Sequence, residues 1–375
     1  MCVLRCLSFQ AAFDEGNQGT ATELKQKIGQ LYILKGNYLE AQKYLIQCLT
    51  IEKAIVGENC PSLFPTIFYL GVTLHNLKKH DNSLAILLKG AELLENADGD
   101  LDNKRVHAKF WIGKEYFALR DYTSAIEYFL QVLAWYKQLN QKRDIRVVIK
   151  TLDALGKCHL ARGHLRLALK SFKGEIQLFE TKGHTTKNLD YAEAYCSTGD
   201  VHSKMQAYAD AQKCFEKALT AIPPGCNKEV ASTLFSLGEV NMKEGRYQEA
   251  KEILIGAHKM FEESVGAHHS KTVSAAFKLA QLHDEMKEYK SAMAFYHICL
   301  SSQELKGEKI NENVGIGTIL FLMGKNSFSQ SVFDDALTFL ERVSNDYTVM
   351  RLTVLCPELI LTIYFYRLWR LRKKN

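Results

Sequence analysis

Small, ring-bearing and large apolar residues recur along this chain in one fixed order, separated by polar positions. Eight segments share the order, from KIGQLYILKGNYLEAQKYL near one end to LMGKNSFSQSVFDDALTFL near the other. A small residue leads each: Gly29, Gly71, Gly113, Gly156, Gly199, Gly238, Ala280 and Gly324, at intervals of 42, 42, 43, 43, 39, 42 and 44 residues. Nine positions on stands Tyr38, His80, Tyr122, Leu165, Tyr208, Tyr247, Tyr289 or Phe333. Twelve positions on comes Ala, with Ser83 the exception, and sixteen on comes Leu45, Leu87, Phe129, Phe172, Phe215, Leu254, Tyr296 or Leu340. Apolar positions at helical spacing on both sides of turns such as Lys35-Gly36-Asn37 and Glu244-Gly245-Arg246 predict two antiparallel helices per segment. Two helices approach closely only where bulk is absent, so the leading Gly is expected to face the Ala twelve residues later. Each hairpin leaves an apolar face that only the next can cover, so the units are expected to stack.

These columns resemble the tetratricopeptide repeat, with its L-G-x-x-Y, Ala and aromatic positions. The resemblance implies an all-α fold, a right-handed α-solenoid of about eight hairpins over residues 22–346, with an extension at 1–21 and a C-terminal helix at 347–375. Departures are local: the first-helix Tyr is kept at Tyr32 and Tyr116 but becomes Leu74, His159, His202, Asn241, His283 and Ser327 elsewhere. The period of about 42 residues exceeds the usual 34 or so. With the junctions VGENCPS at 56–62 and VGAHHSK at 265–271, it is similar to the kinesin light chain and nephrocystin-like subclass.

Only five prolines interrupt 375 residues, which agrees with helices throughout. Charge narrows the partners. Of the formal excess of +6, five charges sit in residues 350–375, where Arg351, Arg367, Arg370, Arg372, Lys373 and Lys374 face only Glu358. The rest of the chain is close to neutral, which argues against a nucleic-acid surface. Ten cysteines form no CxxC pair and no zinc spacing, so they are expected to be reduced, packed thiols. Neighbouring side chains point apart, so His268-His269 predicts no metal site. No GxxxxGK[ST], HExxH or GxSxG motif occurs, and Val314-Gly315-Ile316-Gly317 reads as a linker opening a helix. The expectation is therefore a non-enzyme with no catalytic residue, cofactor or metal.

In repeats of this kind the first helices line a concave groove that takes a peptide or helix without first having to order itself. Three residues before the leading Gly stand Phe68, Phe110, Phe235, Phe277 and Phe321. They predict an apolar groove, the alternative being packing between neighbouring helices. The resemblance to kinesin light chains would place Asn at that register, and Phe there speaks against their mode of peptide recognition. One residue after the leading position come Gln30, Val72, Lys114, Lys157, Asp200, Glu239, Gln281 and Lys325. None is the Asn of repeats that clamp a chaperone's terminal carboxylate. Lys114 and Lys157, with Lys150 nearby, predict a positive stretch for an acidic segment, against the alternative of a solvated face.

The tail YTVMRLTVLCPELILTIYFYRLWRLRKKN reads as one helix, apolar nearly all round, that caps the array; a membrane-touching segment or a splice-variant tail are the alternatives. Residues 1–13 carry Arg5 inside their apolar stretch and do not read as a signal peptide. The function expected is a cytoplasmic protein-interaction scaffold, by resemblance in a cytoskeletal, motor or ciliary complex. Its partner would be a protein or peptide, with no nucleic acid and membrane contact only through the tail. The alternatives are a regulatory fragment of a larger signalling protein and a membrane-tethered adaptor.

Overall fold

The computed structural model describes residues 18–95, 97, 101–138, 145–181, 183, 187–306 and 315–343. Among them are sixteen α-helices, one 3-10 turn at Pro61–Leu63 and no strand. The helices are α1 (Gln18–Leu34), α2 (Tyr38–Val56), α3 (Phe64–Asn76), α4 (His80–Glu95), α5 (Asp102–Ala118), α6 (Tyr122–Gln138), α7 (Ile145–Ala161) and α8 (Leu165–Thr181). They continue as α9 (Leu189–Lys204), α10 (Tyr208–Ala221), α11 (Asn227–Lys243), α12 (Tyr247–Val265), α13 (Ser270–Glu285), α14 (Tyr289–Lys306), α15 (Ile316–Ser329) and α16 (Phe333–Val343). The fold is an all-α helical repeat of eight hairpins. It divides into two compact units, Met1–Leu178 and Phe179–Asn375. The tail helix expected at 347–375 and most of the extension expected at 1–21 lie outside the described residues.

Every hairpin turns in the same way. Seven positions after the leading residue stands one in the left-handed region: Gly36, Lys78, Arg120, Gly163, Gln206, Gly245, Lys287 and Ser331, with φ between 59° and 84°. The next N–H closes back onto the carbonyl five residues earlier, as Asn37 N does to Tyr32 O and Arg246 N to Asn241 O, both at 2.9 Å. This closure satisfies a carbonyl left without a helical partner and reverses the chain in three residues. Side chains start several of the other helices: Asn188 accepts from Tyr191 N, and His269 from Lys271 N.

The crossing differs from the sequence expectation in one detail. The Ala column is fully buried, as is Ser83, yet the atoms nearest each leading Gly belong to the residue sixteen positions on. A Cβ at Gly156 would stand 2.5 Å from Phe172 Cε1, and one at Gly71 would stand 2.6 Å from Leu87 Cδ2. Helical side chains lean toward the N-terminus, so the residue one turn beyond the Ala reaches back over it and fills the notch opposite the Gly. Where Ala280 replaces Gly, Tyr296 is fully buried and its hydroxyl donates to Asp284 at 2.7 Å.

Within each unit a helix packs on its successor, and neighbouring first helices also touch: α1 on α3, α3 on α5 and α5 on α7 in one unit, α9 on α11 and α11 on α13 in the other. A layer of first helices is thereby formed in both. No helix among the described residues is long and apolar enough to cross a membrane.

Candidate functional site

Registers on the first helix decide which residues meet solvent. Residues three apart share a helix face, so a residue three before the leading Gly looks into the same seam as the Gly itself. The expected groove phenylalanines behave accordingly. Phe110, Phe277 and Phe321 are only 8, 5 and 6% exposed and sit in clusters with Phe129, Tyr296 and Met323. These three rings fill the seam between hairpins and line no groove, which corrects that part of the expectation. Phe235 is half-buried against Phe261 and Leu279. Phe68 is also half-buried, and its ring meets Trp111 of the next hairpin edge-on with centroids 6.2 Å apart.

The register one after the Gly is turned away from the seam, and there the charges are perturbed. In the first unit Lys114 Nζ lies 4.0 Å above the Trp111 ring. Burial lowers its pKa, Glu115 acts against the shift and the like charge of Lys150 adds to it. Lys150 is exposed, and neither ammonium makes an ion pair among the described residues. Lys157 instead bonds Asp153 at 2.9 Å within its own helix. Phe68, Trp111, Lys114 and Lys150 thus form a half-exposed aromatic and cationic stretch on α3, α5 and α7.

The second unit carries acids at the same register. Water reaches Asp200, yet the surrounding protein withholds enough solvation, with Glu239 adding like charge, to push its pKa up to about 6. Glu239 is itself bound to Lys278 at 2.9 Å. The folded value exceeds the ordinary 3.8, so the ionised form is the disfavoured one and stability is lost as pH rises toward about 6. Asp200→Asn should remove that loss. Thermal melts of the full chain should show the variant gaining on the wild type between about pH 4 and 7, with the two close in acid.

The strongest polar node was missed by the sequence reading. Glu115 stands two after Gly113, in a column that otherwise reads Leu31, Thr73, Cys158, Val201, Val240, Leu282 and Asn326; the lone acid among them is the signal. Its carboxylate is fully buried, with Oε1 2.8 Å from His75 Nδ1 and Oε2 2.9 Å from His80 Nδ1. Ser83 Oγ lies 2.8 Å from both Oε1 and the Gly71 carbonyl and can donate to either. Burial raises the Glu115 pKa, but the bonds from His75, His80 and Ser83 outweigh it and hold the carboxyl below its usual range. His75 also meets the Trp111 ring edge-on at 5.3 Å, which joins this node to the cationic stretch.

The adjacent histidines take separate structural places. His268 Nδ1 is 3.0 Å from Ser302 Oγ, and His269 starts α13. Among the described cysteines, Cys48, Cys158 and Cys299 are buried thiols pushed up to about 12 by desolvation.

Family models described as tetratricopeptide repeat match residues 229–297, and separately 22–55, 106–139 and 192–224. These segments are tetratricopeptide repeats. A curated relative, "Protein KINESIN LIGHT CHAIN-RELATED 1" of Arabidopsis thaliana, is 20% identical over 84% of this chain. The chain spans 52% of that relative's length. Among solved structures, the apo form of RapI aligns with a TM-score of 0.63 at 14% identity, covering 81% of this chain and 86% of that one. A Rap protein complexed with competence and sporulation factor aligns at 0.50 and 15% identity, covering 95% and 98%. At these identities the likeness is one of fold. Tetratricopeptide-repeat proteins generally mediate protein–protein interaction.

Proposed function

We propose that this chain is a non-enzymatic interaction scaffold whose first unit holds an acidic segment of a partner protein on α3, α5 and α7. The observation that carries the reading is the Lys114–Lys150 pair, two ammoniums that make no ion pair among the described residues, one of them partly desolvated over Trp111. Burial of Lys114 outweighs the help it gets from Glu115 and costs free energy that an incoming carboxylate recovers, and Phe68 with Trp111 offers apolar surface beside it. The Rap protein complexed with a factor supports use of a similar fold to hold a ligand. The name of the curated relative, kinesin light chain-related, supports a setting near the cytoskeleton.

Charge reversal tests the reading. Full-length protein carrying Lys114→Glu and Lys150→Glu should bind acidic peptides at least about tenfold more weakly in fluorescence anisotropy, and wild-type binding should weaken with salt. Binding that is unchanged in the variant, at an unchanged melting temperature, would sink the proposal.

A further inference from the structure

We propose that His75, His80 and Glu115 form a binding site for a divalent transition-metal ion of the zinc class, clipping the second hairpin to the third. One ligand atom from each, two imidazole nitrogens and a carboxylate oxygen, lies within 4.8 Å of the others. The two histidines come from the end of α3 and the start of α4, while the carboxylate comes from α5, forty residues beyond His75. An ion here would add a coordinate bridge between two repeats already joined by packing and by the bonds to Glu115.

The donor set selects the metal. Calcium and magnesium need several oxygen ligands, and one carboxylate does not supply them. Two imidazoles with one carboxylate is a ligand set zinc takes with three protein donors and a fourth position for water. Both imidazoles are 20% exposed, which gives an ion a way in, whereas the carboxylate is wholly buried. Ser83 steadies the carboxylate from behind.

The rearrangement required is small. As the side chains stand, each imidazole bonds a different carboxylate oxygen through Nδ1, at 2.8 and 2.9 Å. Around a tetrahedral zinc, ligand atoms stand about 3.4 Å apart, so each pair must open by about half an ångström. Each imidazole would pass to the tautomer protonated at Nε2, leaving the Nδ1 lone pair to the ion. Each Nδ1 gives up its proton to water as the ion binds, and Nε2 carries the ring's remaining proton. The cation would then sit directly against a buried carboxylate, whose charge it offsets.

Other repeats suggest variants that remove the ligands and keep the packing. At the register of His75 stand Phe117 and Phe328, and at that of His80 stand Tyr38, Tyr122 and Tyr208. His75→Phe and His80→Tyr therefore use residues that this architecture already accommodates. Titration of the full chain with Zn²⁺ by calorimetry, and with Co²⁺ read by Trp111 quenching, is expected to show one site that each single variant weakens at least about tenfold and the double variant abolishes. The Co²⁺ spectrum is expected to carry no thiolate-to-metal charge transfer. Absence of zinc and cobalt binding by the wild type, binding unaltered in the double variant, or a thiolate band at that site would each overturn the proposal.

Discussion

Gly156→Ala is expected to destabilise the first unit by about 1–3 kcal/mol, although Gly→Ala inside a helix ordinarily stabilises by about 0.5–1 kcal/mol. The added Cβ would stand 2.5 Å from Cε1 and 2.6 Å from Cζ of Phe172, a fully buried ring. Overpacking therefore outweighs the propensity gain. Phe172→Ala alone should cost about 3–5 kcal/mol through the cavity it leaves. Combining the two should cost no more than Phe172→Ala alone, because the Cβ then enters vacated space. Urea unfolding followed by tryptophan fluorescence, with Trp111 and Trp135 both in this unit, measures all three. Gly256 is the internal control: a Cβ there meets nothing within 4 Å, so Gly256→Ala should stabilise by about 0.5–1 kcal/mol. A stabilising Gly156→Ala would refute the account of the crossing.

Glu115→Ala carries the second large effect. The substitution strips His75, His80 and Ser83 of their shared acceptor, and stranded polar groups cost about 1–3 kcal/mol each. A total loss of about 3 kcal/mol or more is expected at neutral pH in metal-free buffer. The pH dependence gives a second handle. The folded carboxyl sits below its ordinary 4.5, so its contribution is complete above that value and is lost as pH falls through the lower folded value. Wild type and variant should therefore converge in acid. A gap that persists there would assign the loss to packing and not to the carboxylate's bonds.

Much of the fold was legible because eight copies repeat it. One Gly followed by Ala says little; the columns from Gly29 to Gly324 fix the hairpins and their turns. The left-handed turn position was hidden because only Gly36, Gly163 and Gly245 advertise it, while Lys78, Arg120, Gln206, Lys287 and Ser331 adopt it under tertiary constraint. The candidate site was half legible. Lys114 was found from its register. Phe110, Phe277 and Phe321 were assigned to a groove or to packing from their register three before the Gly, and that same register puts them in the seam with the Gly. His75, His80 and Glu115 could not be joined from spacing alone, since the stack brings together residues forty positions apart.

The uniform turn leaves the chain a reserve of stability. A residue with a Cβ in the left-handed region costs about 1 kcal/mol, and five such residues together forgo a sum comparable with the whole stability of a small domain. Glycine would relieve the clash but loosen the unfolded chain by a similar amount, so little net gain follows. Asparagine tolerates the conformation while keeping its backbone restricted. At Lys78, Arg120, Gln206, Lys287 and Ser331 it is the replacement by which this architecture could be hardened one hairpin at a time, with the crossings untouched.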